Sequence, residues 1–392
     1  MAIRKTEKAG PYTIHNTVKI IRGGAAYYSC IDEIAASATY SLHFQTYIFD
    51  EDETGRRVAD ALMGAARRGV LVYLLLDAYA SQRLSSIFIA TIKEAGVHFR
   101  YFEPFFKSRN YYFGRRLHHK VLVADGSVCL VGGLNVSNRY NDMPGAPAWL
   151  DWALQVNGDV AAELDRVCIR MWNRGLFTSK CLATQNPKIE HKEHCLVRIR
   201  RNDWVYNRTE ITKSYYEIFG KATEDVIIMT SYFWPARRLL KSMEVAARRG
   251  VQISVVLTGN ADVPLAKYAE RYLYNRLFRN KISIYEYTGN VLHGKLAIRD
   301  HEWLTVGSYN LNNISAFASV ELNLDVADNT VAAALRKLVT NVIAQECRQI
   351  KRDDFTASGN IVKRFFYFLS YTSIQALFFL FTFYFSQRKR RS

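Results

Sequence analysis

Two stretches of this 392-residue chain hold polar residues at a spacing that could do chemistry. They are HHKVLVADGSVCLVGGLN, from His118 to Asn135, and HGKLAIRDHEWLTVGSYN, from His293 to Asn310. Both read H-x-K, four residues, Asp, six residues, then G-[GS]-x-N, and both run 17 positions from His to Asn (135−118 and 310−293). A lone H-x-K on a strand is usually a solvated face. Two copies in matching frames, with matching glycine and asparagine, mark a site. The middle slot is His119 in one copy and Gly294 in the other, so it carries no fixed chemistry. His118 is therefore the reactive histidine of the first copy.

These residue types suit attack on a phosphodiester, whose charge repels nucleophiles and whose alkoxide leaves poorly. Brought face to face, Lys120 and Lys295 with Asn135 and Asn310 can bind and neutralise the phosphoryl oxygens, as a metal does elsewhere. Of His118 and His293, the neutral one attacks phosphorus and the protonated one donates to the leaving oxygen. Each imidazole then needs a carboxylate on its second nitrogen to fix tautomer and orientation. Asp151, 33 positions beyond His118 (151−118), and Glu321, 28 beyond His293 (321−293), are the candidates. Gly133, and Ser308 at the same place in the second copy, sit where backbone would approach a ligand closely. No His, Cys and carboxylate cluster has metal-ligand spacing, and a lysine two residues from each histidine opposes a cation. Neither metal nor other cofactor is expected.

The elements that must position these groups also come in duplicate. Val121 to Ala124 and Val128 to Val131 flank Asp125-Gly126, the signature of a hairpin with a type I′ turn. Side chains alternate along a strand, so His118 and Lys120 point the same way. Asp125 and Asp300 fall at the turns, where a structural role stands beside a chemical one. Upstream, YSLHFQTYIFD (Tyr40 to Asp50), a helix ending in AARRGV (Ala65 to Val70) and the strand LVYLLLD (Leu71 to Asp77) match DVIIMTSYFWP, a second AARRGV (Ala246 to Val251) and QISVVLTG. The hexapeptide offset is 181 (246−65) and the H-x-K offset 175 (293−118), a difference of loop size. Further strands, GVHFRYF and KISIYEY, precede each hairpin. The order predicts two α-β-α sandwich halves facing each other across a pseudo-twofold axis, with both hairpins at the interface. Expected boundaries are 1–174 for the first half, 175–194 for a linker, 195–354 for the second half and 355–392 for a C-terminal segment.

Composition narrows the partners. The net charge of +17 asks for something anionic: nucleic acid, acidic lipid or a phosphorylated substrate. Six scattered cysteines without a C-x-x-C pair read as free thiols of a reducing compartment. The N-terminus carries charges throughout and lacks the apolar core of a secretory signal. Near the other end, Phe365 to Phe385 is 21 residues without a charge, bounded by Lys363-Arg364 and Arg388 to Arg391. That length could span a bilayer, but basic flanks on both sides favour a helix lying on an anionic membrane surface. Two stretches interleave cations with aromatics. FEPFFKSRNYYFGRR (Phe102 to Arg116) reads as an interfacial loop or a lid, and RIRRNDWVYNR (Arg198 to Arg208) as a lipid or nucleic-acid surface.

The motifs HHKVLVAD and HGKLAIRD resemble the paired signatures of the phospholipase D superfamily. The resemblance runs from about Val18 to about Asp328 and is greatest to bacterial cardiolipin synthases of the short type, without N-terminal transmembrane helices. TYIFDEDETG, SYFWP, AERYLYNRLF and EYTGNVLHGK support it. It implies one shared site of His118, Lys120, Asp125, Asn135, His293, Lys295, Asp300 and Asn310, with His118 as nucleophile. It implies metal-free phosphatidyl transfer from one phospholipid (phosphatidylglycerol, or phosphatidylethanolamine as alternative donor) to a hydroxyl of phosphatidylglycerol. An enzyme body on the cytoplasmic side of a bacterial inner membrane is the matching expectation. Hydrolysis to phosphatidic acid is the alternative, and a nuclease follows it, disfavoured by the apolar tail; no nucleic acid is expected. Two departures stand out: Asp77-Ala78-Tyr79-Ala80-Ser81 lacks the glycines of the usual D-G-x-G-S, and NLNNIS (Asn310 to Ser315) lacks the acid of N-L-D.

Overall fold

Each half of the chain builds a sheet in the same strand order. The first half supplies β1 (Asn16–Arg22), β2 (Ser41–Thr46), β3 (Leu71–Asp77), β4 (His98–Phe102), β5 (Arg116–Leu117), β6 (Lys120–Ala124), β7 (Val128–Gly132) and β8 (Trp152–Gly158). The second supplies β9 (Leu196–Asp203), β10 (Arg208–Thr209), β11 (Asp225–Met229), β12 (Phe233–Trp234), β13 (Gln252–Thr258) and β14 (Ser283–Tyr287). It continues with β15 (Leu296–Arg299), β16 (Trp303–Gly307), β17 (Leu311–Asn312), β18 (Ser319–Ala327) and β19 (Cys347–Ile350). In space the sheets run β1-β8-β7-β6-β2-β3-β4 and β10-β9-β18-β16-β15-β11-β13-β14-β19. From β1 and from β9 onward the two orders match strand for strand, the added edges being β10 and β19. This computed structural model describes residues 11–103, 115–174, 182, 194–261, 263–312, 319–353, 355 and 361–389, with side chains at 362–376 in the last segment. The aromatic stretch at 104–114, the expected linker apart from Leu182 and His194, and residues 313–315 of NLNNIS lie outside the described residues.

Of the parallel strands β2, β3 and β4, the central β3 is the buried, near-continuous apolar run that helices on both faces require, β2 is buried too, and β4 at the sheet edge is mostly half-buried. On the outer face lie α1 (Ala25–Ser37), α2 (Glu53–Arg67) and α3 (Ser86–Glu94), packed over Leu42, Phe44, Leu74 and Leu76. The second half repeats this with α5 (Glu210–Lys221), α6 (Arg237–Arg248) and α7 (Pro264–Arg279), following α4 (Asp159–Asn173). The inner faces meet in one shared core, where Val131, Leu154 and α4 residues such as Leu164 pack with Leu296, Val306 and Leu335 of the second half. The two AARRGV copies act alike: Gly69 and Gly250 turn each helix end at φ 94 and 100. The arginine before each glycine caps the preceding helix, Arg68 donating to the Ala35 carbonyl and Arg249 to that of Phe219.

The hairpins form as expected, with a refinement at the turn. Asp125 (φ 54) and Gly126 (φ 59) are both left-handed, as a type I′ turn requires, and Ser127 N–H closes it on the Ala124 carbonyl. Ser127 is one residue extra, because Ala124 pairs with Val128. The second hairpin also leaves three residues between Arg299 and Trp303. Among the described residues no disulfide joins the cysteines; Cys181 is outside the described residues.

One expectation changes, and another gains detail. Two arginines of RIRRNDWVYNR are turned into the fold: Arg198 and Arg200 converge on Asp325 of β18 and Glu217 of α5, so they brace β9 against both rather than form a lipid or nucleic-acid surface. The C-terminal segment is a helix, Ile361–Lys389, whose start docks on α7. Tyr371 stacks on Tyr272 at 4.7 Å, and Ser370 and Ile374 are buried. Among the described residues no helix is long and apolar enough to cross a membrane.

Candidate active site

Each H-x-K histidine is held by the other half of the molecule. His118 precedes β6 and donates its backbone N–H to the Val320 carbonyl of β18, where β5 pairs in parallel with Ser319 and Val320. His293 precedes β15 and donates its N–H to the Leu150 carbonyl of the first half. The carboxylates are crossed in the same sense. His118 Nδ1 lies 2.9 Å from Glu321 Oε2, and His293 Nδ1 lies 2.6 Å from Asp151 Oδ2. Both acids are fully buried, whereas the histidine side chains keep 17 % and 13 % of their exposure, enough to present a ring nitrogen to a substrate. The reciprocity is that of a twofold, and it makes one site out of two motifs.

The lysines sit beside these rings with no exposed surface. Lys120 Nζ donates to its own motif's His118 carbonyl at 2.6 Å and lies over the Tyr47 ring. Lys295 Nζ does the same with the His293 carbonyl and reaches Ser231 Oγ at 3.4 Å. Burial pushes Lys120 down to about 7, with the Lys295 charge adding to it. A phosphate between the two would restore the Lys120 charge.

The two histidine–acid pairs differ in where the proton rests. Burial lowers the His118 pKa and both lysines add to this, against the opposing pull of Glu321. Burial raises Glu321, but His118, Lys120 and the Ser308 hydroxyl (2.5 Å) outweigh it, and this acid is held below its usual value. His118 is thus a neutral imidazole with its Nδ1–H on an ionised acid and Nε2 free to attack. Burial lifts Asp151 to about 7, despite Lys295, while burial and both lysines push His293 well down. That pair keeps a proton near neutrality, which suits a general acid.

Of the residues expected in the site, the structure brings His118, Lys120, His293, Lys295, Asp151, Glu321 and Ser308 together. Asp125 and Asp300 do not join them. They stand five strand residues from the lysines (125−120 and 300−295), roughly 16 Å at about 3.3 Å each. Asp125 accepts from the backbone N–H groups of Thr39, Tyr40 and Ser41, and Asp300 from those of Thr223, Glu224 and Asp225. They tie each hairpin turn to the loop entering β2 or β11 and hold no reacting atom. Asn135 is committed too: its Oδ1 accepts from Ile48 N–H and its amide donates to Tyr140 Oη. Asn310 Oδ1 accepts from Thr230 Oγ1 at 3.5 Å. Gly133 leaves room for a side chain rather than a ligand, since a Cβ there would lie 2.4 Å from Asp151 Oδ1. The loop without glycines is shaped by Asp77, which accepts from Tyr79, Ala80 and Leu117 N–H groups and so also positions the strand leading to His118.

Sequence reasoning missed the aromatic walls. Tyr47 meets the His118 ring edge-on at 4.8 Å, and Tyr140 meets His293 at 5.0 Å with Trp149 at 6.0 Å. Tyr47 was findable, since it follows the carboxyl end of β2, where open α/β sheets bind ligands. Tyr140 and Trp149 lie in irregular chain, where no periodicity marks them.

A duplicated α/β sandwich with two His–Lys motifs in one interface, each histidine held by a carboxylate of the other half, defines a phospholipase D-like enzyme. A family model described as "Cardiolipin synthase, PLD-like domain" matches residues 31–167 and 215–343, and the chain belongs to that family. It is 34 % identical over 348 residues to cardiolipin synthase B of Salmonella typhimurium, covering 86 % of this chain and 82 % of that one. To cardiolipin synthase B of Escherichia coli K12 it is 33 % identical over 343 residues, with the same coverage. Among solved structures, phosphatidylserine synthase of Haemophilus influenzae superposes with a TM-score of 0.73 at 14 % identity, covering 95 % of this chain and 97 % of that one. That likeness speaks for the fold alone.

Proposed function

We propose that this chain is a phosphatidyltransferase of the cardiolipin synthase type, moving a phosphatidyl group from one phospholipid to a hydroxyl of phosphatidylglycerol. The observation that carries the chemistry is the crossed pair, His118 on Glu321 and His293 on Asp151, between two buried lysines. The donor phosphodiester binds between Lys120 and Lys295. His118 Nε2 attacks phosphorus; the P–N bond forms as the P–O bond to the headgroup breaks, and His293 gives its proton to the departing oxygen. The acceptor hydroxyl then enters, returns a proton to His293 and forms the new P–O bond as the P–N bond breaks. Lysine charge and the donors around the phosphoryl group do the work of neutralisation. The donor is phosphatidylglycerol, with phosphatidylethanolamine as the alternative.

The tail supports a place on the anionic inner leaflet of a bacterial membrane, with the enzyme body on the cytoplasmic side. Val362, Phe365, Phe366, Phe368 and Leu369 are about half exposed, and Lys363 and Arg364 lie among them. Phenylalanine with adjacent cations suits insertion at the headgroup boundary. The deciding experiment is expression in cells that lack cardiolipin, followed by mass spectrometry of their lipids. Cardiolipin should appear with the intact chain and not with the His118→Ala variant. Phosphatidic acid alone would make the protein a hydrolase, and an unchanged lipid profile would refute the reading.

A further inference from the structure

Transfer between two phospholipids brings two phosphates to one site, and the buried lysines serve only the one that reacts. The second belongs to the acceptor. It sits a glycerol unit from the attacking hydroxyl and carries a full charge. Its position follows from the stereochemistry of the first step, and this argument rests on the function proposed above. If His118 attacks, the leaving oxygen departs on the opposite side of phosphorus, beside His293. The incoming hydroxyl takes the same place, loses its proton to His293 and forms the P–O bond as the P–N bond to His118 breaks. The acceptor phosphate must therefore lie just beyond His293.

What lies there is a single aromatic layer with an arginine on it. Tyr140 and Trp149 flank His293, and the Arg139 guanidinium lies over both rings, 5.4 Å from the Trp149 centroid and 5.9 Å from that of Tyr140. The arginine is carried by a short turn, Asn138–Tyr140, that is pinned in place. Asp52 accepts from Asn138 N–H at 2.7 Å, and the Arg139 carbonyl accepts from Trp149 N–H at 2.9 Å. Its side chain is 48 % exposed and makes an ion pair with Asp50 at 3.4 Å, a long contact for a guanidinium with several donors to give. Its charge reaches the site, being one of those that depress His293. The other rim also carries an arginine, Arg116 over Tyr79, but it lies on the side of His118 and Asp77, away from the entering hydroxyl.

We propose that Arg139, held on the Trp149–Tyr140 platform, binds the phosphate of the acceptor phospholipid and so selects a phosphorylated alcohol over water or a neutral one. Aromatic stacking orients the guanidinium beforehand, which limits the entropy lost when it takes the phosphate. The interaction is half exposed, so salt weakens it.

The test is a partition experiment with the purified full chain in neutral detergent micelles. Labelled phosphatidylglycerol at low concentration is the donor. Glycerol and glycerophosphoglycerol, which bears the phosphodiester that glycerol lacks, compete as acceptors in the same tube. Both draw on the same covalent intermediate, so the product ratio is independent of how fast that intermediate forms. Arg139→Ala should reduce the preference for glycerophosphoglycerol by about tenfold or more, the loss of one charge-assisted phosphate contact. Arg139→Lys should recover part of it, and added salt should erode the preference of the wild type but not of Arg139→Ala. A ratio unchanged by Arg139→Ala would overturn the proposal, as would a shift produced by Arg116→Ala in its place. Absence of any transfer product from the wild type would instead refute the parent function.

Discussion

One methyl group at Gly133 should disable His293 without touching it. An ideal Cβ on Gly133 would stand 2.4 Å from Asp151 Oδ1 and 2.5 Å from Oδ2. Ordinary contact is near 3.4 Å, so the carboxylate must shift by about an ångström. It has no slack to do so. Asp151 is fully buried, with Oδ1 on the Trp152 N–H at 2.7 Å and Oδ2 on His293 at 2.6 Å. Gly133 has no positive φ, so the backbone accepts alanine and the strain falls on the side chain. Overpacking of this kind costs roughly 1–3 kcal/mol of stability, which a domain pair with this much core tolerates. The catalytic loss should be larger. Removing the carboxylate brace of a catalytic imidazole lowers turnover by about 10²- to 10⁴-fold, and Gly133→Ala should fall in the lower part of that range. Gly64→Ala is the control, because nothing lies within 4 Å of its Cβ and a helix favours alanine there. Phosphatidyl transfer in mixed micelles is measured beside a thermal melt. A folded Gly133→Ala protein with kcat within about threefold of the wild type would refute the bracing role of Asp151.

The remaining expectations follow from the same geometry. His118→Ala and His293→Ala should each lower turnover by several orders of magnitude, and the double variant by little more, because the two act as a unit; half activity in either single variant would mean two separate sites. Raising the pH should reduce kcat/KM with a midpoint at about 7. Above that value the Asp151–His293 pair loses its proton and Lys120 its charge, while His118, already below its usual pKa, stays neutral throughout. A flat profile from about pH 6 to about pH 9 would contradict this. Truncation after Asp354 should leave activity on detergent-dispersed lipid and reduce binding to vesicles of anionic lipid; equal vesicle binding with and without the tail would remove its proposed role.

The chemistry was legible because it is local. H-x-K spacing, the hairpins around Asp125 and Asp300 and the doubled AARRGV are each read within a few residues, and the two similar α/β halves follow from them. What was hidden is relational. Asp151 and Glu321 stood out as acids some way beyond each motif, but their crossing depends on β5 pairing with β18 and on Leu292 bridging to Leu150, contacts with no mark in the sequence. Asp125 and Asp300 illustrate the opposite fault. Their place in a repeated motif suggested chemistry, although five residues of strand already put them at the far end from the lysines. Gly133 was read as ligand clearance, when the group that needs its space is the Asp151 carboxylate. Arg139, Tyr140 and Trp149 were invisible because an irregular segment has no period to betray its inward face. In the tail, a run of apolar residues could not reveal that Tyr371 would find Tyr272.

The central claim is that one composite site forms a phosphatidyl bond to His118 Nε2, with the acid pair across the interface. Mixing the protein with labelled phospholipid, quenching in alkaline denaturant to preserve the acid-labile P–N bond, and mapping the peptides tests it most directly. The label should appear on the peptide containing His118, accumulate in His293→Ala if the second step is the slower, and be absent from His118→Ala. Label on His293 in the wild type would reverse the assigned roles. A protein that turns over lipid with no label on either histidine would contradict the covalent route itself.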